Sequence, residues 1–303
     1  MIVPVYRGRF APSPTGALHF GSLIAALASW CDARANDGAW LVRIEDVDTP
    51  RTRSGASDSI LRTLAAYGFE WDGAVVRQSE RTGLYQAALD DLIARGLAYS
   101  CGCTRKELER AQLGLGGERV YPGTCRHGTT SPRHGRAWRL RVGDRPTGFV
   151  DRLQGYQQQC LARDVGDFVI RRADALFAYQ LAVVVDDADQ GITHVVRGAD
   201  LLASTPRQIW LQEQLQLATP SYLHHPVAID EKGEKLSKQT RAAPLSANPL
   251  PMLILAWRFL DQPMPSAPLA TVAEFWQWAH RAWNPRVLPP VAMLPLPRSP
   301  GTL

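Results

Sequence analysis

The sequence predicts an α/β protein: a parallel sheet, split by a cysteine-bearing insertion and followed by a helical C-terminal part. Three observations carry that prediction. Apolar strand-like runs alternate with runs at helical spacing, the signature of a parallel sheet. A stretch rich in Gly, Arg and Cys, about residues 98–155, breaks the alternation, and it then returns. Beyond about Leu217 the chain turns helix-rich and carries Trp257, Trp276, Trp278 and Trp283, read as core residues because large aromatic surfaces favour burial.

Taken in order, "FAPSPTGALHFGSL" (Phe10–Leu23) is a Pro/Gly loop leading into a helix whose Leu23, Ile24, Leu27, Ala28 and Cys31 fit one buried face, with Gly38 as a stop. "WLVRI" (Trp40–Ile44) reads as a strand buried on both faces. A second amphipathic helix spans about Thr82–Arg95, with Leu84, Tyr85, Ala88, Leu89, Leu92 and Ile93 inward and Gly96 as its cap. The Val and Ile runs of "FVIRR" and "FAYQLAVVVDDADQGITHVVRG" are expected to be further core strands. The segments are therefore 1–97 and 156–216 as two halves of one α/β unit, 98–155 as the insertion, and 217–303 as a helical region.

Composition narrows the class. At 303 residues and 45% hydrophobic, the chain has material for two or three packed units. It contains no apolar run long enough to span a bilayer, and "MIVPVYRGRF" lacks secretory-signal features, so a cytoplasmic protein without a membrane partner is expected. Of five cysteines, Cys101, Cys103 and Cys125 crowd together, which suits a metal site in a reducing compartment better than a disulfide framework. The net charge of +5 favours an anionic partner such as RNA.

A Pro/Gly loop opening a helix presents unpaired N–H groups and the positive end of the helix dipole, which together make an anion site. His19 and Ser22, one turn apart, either add side-chain donors for a phosphate there or, in the case of His19, cap the helix. Far downstream, "EKLSK" carries Lys235 and Lys238 between "DEKGE" and "QTRAAP". Three thiolates at Cys101-x-Cys103 and Cys125 suggest Zn²⁺ with a fourth protein ligand, and spacing leaves Tyr121 and His127 both open.

"RFAPSPTGALHFGSL", "LVRIEDVDTPR", "VVRQSER", "GITHVVRGADLLASTPRQ" and "EKLSK", in this order over roughly 230 residues, resemble the catalytic core of glutamyl-tRNA synthetases of class I. The resemblance implies the Rossmann-like parallel-sheet fold of a class I aminoacyl-tRNA synthetase, with a zinc-bearing insertion, and an activity in which glutamate is activated by ATP with Mg²⁺. By the same resemblance His19, with Gly21 and Ser22, contacts the nucleotide, and Lys238 its phosphates, with Lys235 assisting. Arg9, Phe10, Ala11, Pro12, Ser13, Glu45, Tyr179 and Arg197 fall where the family holds the amino acid: Arg9 and Arg197 on carboxylates, Glu45 on the α-ammonium, Tyr179 as a donor. An arginine facing the substrate side chain rejects glutamine, whose amide nitrogens would meet a cation. Resemblance to the zinc-bearing members implies Cys101, Cys103, Tyr121 and Cys125 as ligands of one structural zinc, pinning an insertion placed to reach the acceptor end of an RNA.

Only 65 residues follow Lys238 (303 less 238), too few for the domain with which a discriminating member reads the anticodon. The chain accordingly resembles short paralogues that activate L-glutamate without tRNA and transfer it to the queuosine base in the anticodon of tRNA(Asp), and a monomer is expected. The departures are Phe20 for an aliphatic residue, Leu236 for methionine and Gln239 for serine, none of which removes a charge. Two other readings stand beside this one: a truncated synthetase-like enzyme with another acceptor, and a non-catalytic RNA-binding relic.

Overall fold

The computed structural model describes residues 5–114, 117–128, 137–231, 233–234 and 243–296. The chain opens with strand β1 (Arg7–Phe10), helix α1 (Phe20–Arg34), strand β2 (Ala39–Ile44), helix α2 (Ala56–Ala66), strand β3 (Val76–Arg77) and helix α3 (Thr82–Ala94). Its middle comprises β4 (Ala98–Cys101), the single turn α4 (Arg105–Leu108), β5 (Ala137–Leu140), β6 (Thr147–Asp151), β7 (Gly155–Gln159), the short α5 (Leu161–Asp164) and β8 (Phe168–Arg171). There follow α6 (Tyr179–Asp189), β9 (His194–Gly198), α7 (Thr205–Gln214), β10 (Ser221–His225) and β11 (Val227–Ile229). Helices α8 (Pro249–Phe259) and α9 (Val272–Ala282) and strand β12 (Met293–Pro295) complete the described chain.

Strands β1, β2 and β3 are parallel in that spatial order, and β9 pairs in parallel with β10. The two groups meet where the Thr193 N–H donates to Arg7 O at 3.0 Å, beside β1. Within each group the strands point their C-terminal ends the same way, the arrangement that puts ligands at one edge of an α/β sheet. A separate antiparallel sheet joins β4, β5 and β8, drawing strands from both the 98–155 and the 156–216 segments, while β6 and β7 form a hairpin.

Helix α1 is central rather than one-faced. Leu23, Ile24, Leu27, Ala28 and Cys31 are buried as expected, but so are Ala26, Ser29, Trp30, Asp32 and Ala33, because α8 and α9 cover the side that the sheet leaves open. Each fully buried Leu or Ile there contributes about 1.5–3 kcal/mol of gross transfer energy. Asp32 is fully buried and accepts hydrogen bonds from the Tyr6 hydroxyl, from both Nη atoms of Arg152 (2.6 and 3.0 Å) and from Trp283 Nε1 (3.1 Å). Trp257, Trp276 and Trp283 belong to this core, with Trp278 packed against it.

Three expectations are corrected. The valines of "LAVVVDDAD" lie in helix α6, not a strand; a short run of β-branched residues buried on several sides has no periodicity to separate the two. Leu84 is 41% exposed on α3, whose inward face is Tyr85, Leu89 and Leu92. Helix α1 ends at Arg34, earlier than expected, and Gly38 closes the turn that follows: its N–H donates to Ala33 O at 2.9 Å, and a Cβ there would lie 2.6 Å from the Tyr6 carbonyl oxygen. Among the described residues no helix is long and apolar enough to cross a membrane.

Candidate active site and cysteine cluster

The loop after β1 is held by backbone bonds from Glu45 N to Pro12 O (3.0 Å) and from Arg53 N to Pro14 O (2.9 Å), which bring Ala11, Pro12 and Ser13 beside the end of β2. Phe10 is buried beneath, its ring stacked 6.1 Å from that of Trp40. Gly21 and Ser22 lie in the first turn of α1, and His19 is its N-cap: Nδ1 accepts from the Ser22 N–H at 3.3 Å. The capping alternative is thus realised, and it is compatible with a phosphate role. An accepting Nδ1 puts the proton of the neutral ring on Nε2, a donor nitrogen.

Lys235 and Lys238 lie outside the described residues. The chain that follows them returns to this loop: Pro244 forms an antiparallel bridge with His19, and the Leu245 N–H donates to Leu18 O at 3.1 Å.

The residues expected to hold the amino acid converge at the C-terminal ends of β1, β2 and β9. Arg9, from the end of β1, is 4% exposed and pairs through Nε with Asp187 at 3.2 Å. Arg43, fully buried on β2, reaches Asp187 (2.8 Å), Glu45 (3.4 Å) and Asp186 (3.7 Å). Burial alone would raise the Asp187 carboxyl, but Arg9 and Arg43 outweigh it and hold it below the ordinary range. For Glu45 burial wins over Arg43 and Arg9, and the carboxyl is pushed up. Tyr179, at the start of α6, has its phenol pushed up by burial against the opposing charge of Arg197; Glu45, Arg9 and Asp187 also act on it, which places the four expected residues in one electrostatic neighbourhood.

Arg197, on β9 and 4% exposed, is held by four bonds: Nε to His224 Nε2 (3.0 Å), Nη2 to Thr205 Oγ1 and Gln208 Oε1 (both 2.8 Å), and Nη1 to the Tyr179 hydroxyl (3.5 Å). Arg43, Asp187, Asp151, Thr205, Gln208 and His224 were not singled out from the sequence. The available signals were acids inside an apolar run at 186–187 and paired histidines in a strand at 224–225.

In the cysteine cluster, the thiols of Cys101, Cys103 and Cys125 all lie within 4.8 Å of one another. The Tyr121 hydroxyl is 3.3 Å from Cys101 Sγ and 3.8 Å from Cys103 Sγ, and it accepts the Cys125 N–H at 2.9 Å. Tetrahedral Zn²⁺ at about 2.3 Å from sulfur and about 2.0 Å from oxygen demands S···S of about 3.8 Å and S···O of about 3.5 Å. The Cys103–Cys125 separation of 3.6 Å and the two Tyr121 distances match, so these donors fit the metal. His127 is exposed and outside the cluster. Arg139 lies over the Tyr121 ring, 3.7 Å from its centroid, a contact that favours negative charge on the phenol. Without a cation, burial and Cys101 push that phenol up; a bound dication reverses this. Burial also acts to raise the Cys125 thiol, but hydrogen bonds from Gly102, Tyr121 and the other two cysteines bring it down to about 7.

A parallel sheet with an anion-type helix start at its C-terminal edge, joined there by the chain that follows Lys235 and Lys238, is the pattern of the catalytic core of a class I aminoacyl-tRNA synthetase. The family described as tRNA synthetases class I (E and Q), catalytic domain, matches residues 5–248. The chain belongs to this family of ligases, in the branch of its Glutamyl-Q tRNA(Asp) synthetases. It is 57% identical over 296 residues to the Glutamyl-Q tRNA(Asp) synthetase of Dechloromonas aromatica (strain RCB), covering 96% of this chain and 98% of that one. It is 56% identical over 284 residues to the protein of that name from Chromobacterium violaceum, covering 92% and 94%. Its fold is similar to that of a glutamate tRNA ligase from Elizabethkingia meningosepticum, with a TM-score of 0.79, 24% identity, and coverage of 96% of this chain and 67% of the other.

Proposed function

We propose that this chain joins L-glutamate to ATP as glutamyl-adenylate in the absence of tRNA and then passes the glutamyl group to the queuosine base in the anticodon of tRNA(Asp). The observation that carries the reading is the convergence of Arg9, Glu45, Tyr179 and Arg197, with the chain after Lys238 paired to His19 at the start of α1. Glutamate has two carboxylates and one ammonium; two arginines, one carboxylate and one phenol are the complementary set. Its α-carboxylate oxygen attacks the α-phosphorus of ATP and pyrophosphate leaves. The mixed anhydride then loses AMP to a nucleophile on the base.

Little covalent work falls to the protein, so rate comes from positioning and from stabilising phosphate charge. His19, Gly21 and Ser22 take the nucleotide at the helix start, Lys238 with Lys235 neutralises phosphate charge, and Mg²⁺ arrives with ATP. Phe10, Ala11, Pro12 and Ser13 form the wall behind the amino acid. Cys101, Cys103, Tyr121 and Cys125 would hold one zinc, a structural ion that fixes the segment between β4 and β5. The names of the relatives support the acceptor; the geometry supports the amino acid and the nucleotide.

The test is glutamate-dependent ATP–pyrophosphate exchange without RNA, followed by transfer of labelled glutamate to tRNA(Asp) with and without queuosine. Exchange in the RNA-free reaction, its loss in Lys238→Ala, and labelling only of queuosine-bearing tRNA are expected. Exchange that appears only with tRNA(Glu) would instead identify a truncated conventional synthetase.

A further inference from the structure

We propose that His224, locked in its Nδ1–H tautomer by Asp151, is a positioning residue that fixes the Arg197 guanidinium and turns one Nη1 edge toward a substrate carboxylate. This assignment rests on the reading of Arg197 as a ligand of glutamate.

The argument is a count of donors and acceptors. Arg197 can only donate, so the His224 Nε2 it touches at 3.0 Å must accept. The other nitrogen, Nδ1, lies 2.6 Å from Asp151 Oδ2. Asp151 is almost wholly buried, yet hydrogen bonds from His224 and from the N–H groups of Gln154 and Leu153 hold its carboxyl low, so it is an ionised acceptor and Nδ1 must carry the proton. Both ends of the ring therefore require one neutral tautomer. Burial, with the Arg197 cation adjacent, pushes His224 down to about 4 despite Asp151, so the ring stays neutral at physiological pH.

A second arm makes the same kind of choice. Gln208 gives its amide N–H to Gln180 Oε1 at 2.9 Å, which leaves Gln208 Oε1 as the acceptor for Arg197 Nη2. With Thr205 on the same nitrogen and Tyr179 on Nη1, four of the five guanidinium N–H groups are engaged among the described residues. The fifth belongs to Nη1, on the Tyr179 side where Glu45 and Arg9 also act.

Asp151 additionally accepts the backbone N–H of His224 at 3.2 Å and those of Leu153 and Gln154 at 3.0 and 2.9 Å, all through Oδ1. Replacing Asp151 by Asn keeps Oδ1 on those three donors and turns an NH₂ toward Nδ1. The ring must then carry its proton on Nε2, donor against donor with Arg197.

The experiment pairs ¹⁵N NMR of the ligand-free protein with RNA-free exchange kinetics. In the parent, the His224 signals should show protonated Nδ1 and unprotonated Nε2, and Asp151→Asn should exchange them. Asp151→Asn and His224→Leu should raise KM for glutamate about tenfold or more with KM for ATP within about twofold, whereas His224→Gln, which keeps an acceptor facing Arg197, should stay within about threefold of the parent. Should Asp151→Asn fail to fold, the Leu and Gln variants of His224 make the same comparison. A parent protonated at Nε2, or equal glutamate KM in the Leu and Gln variants, overturns the proposal. The expected tautomer in a protein without glutamate-dependent exchange would instead overturn the glutamate reading and the substrate named here with it.

Discussion

Asp187→Asn removes the charge that Arg9 and Arg43 share while preserving shape. The side chains of Asp187, Arg9 and Arg43 are 8%, 5% and 0% exposed, so solvent screens none of them appreciably. Removing one partner of a buried ion pair costs about 3–5 kcal/mol. Arg43 keeps Glu45 and Asp186 as partners and the amide oxygen retains one acceptor, so about 3 kcal/mol is expected. Urea unfolding at pH 7 should show this as a lower midpoint with an unchanged slope, and KM for glutamate should rise about tenfold as Arg9 loses its anchor. The pH dependence tests the cause. Because the folded Asp187 carboxyl is depressed, its stabilisation is complete above the unfolded value of about 3.9 and is lost as pH falls through the folded value. The gap between parent and variant should therefore narrow below about pH 4. A gap under about 0.5 kcal/mol at pH 7, or one that stays constant into acid, refutes the reasoning.

Elemental analysis of the purified protein should find one zinc per chain, and Cys101→Ser should lose most of it; an unchanged metal content would remove the cluster from the argument. Gly166→Ala should weaken zinc retention against a chelator about tenfold without touching a ligand, since Gly166 has φ +71° and a Cβ there would lie 2.4 Å from the Tyr121 carbonyl oxygen; equal retention would refute this. For Glu45, whose carboxyl is raised by burial, kcat/KM for glutamate should fall on the acid side at a pH above the ordinary glutamate range, because only the carboxylate holds an ammonium. Glu45→Gln should lower kcat/KM about a hundredfold and flatten that limb, and a pH profile shared by parent and variant would exclude Glu45 as its source.

Residues that act through their own neighbourhood in the chain were legible in the sequence. The loop and helix start from Phe10 to Leu23, strand Trp40–Ile44 and the three-cysteine cluster each declare themselves by local spacing, and the structure has them where that spacing puts them. Residues that act through distant partners were not. Asp187 is legible only once Arg9 and Arg43 are known to face it, and His224 only with Asp151 on one side and Arg197 on the other. Val183–Val185 misled for a related reason: whether a β-branched run extends or coils is decided by what covers it. Whether Tyr121 or His127 stands beside the thiols likewise depends on which side chain faces inward, a property with no local signature.

Asp32 shows what the C-terminal helices mean for the rest of the molecule. One carboxylate on the first helix fastens the approach to β1 through Tyr6, the turn of the β6–β7 hairpin through Arg152 and the end of α9 through Trp283. That hairpin turn begins at Asp151, so the tail and the proposed amino-acid site hang from neighbouring rivets. Trimming α9 is therefore no cosmetic edit: it would loosen a joint that leads through Arg152 and Asp151 to His224 and Arg197.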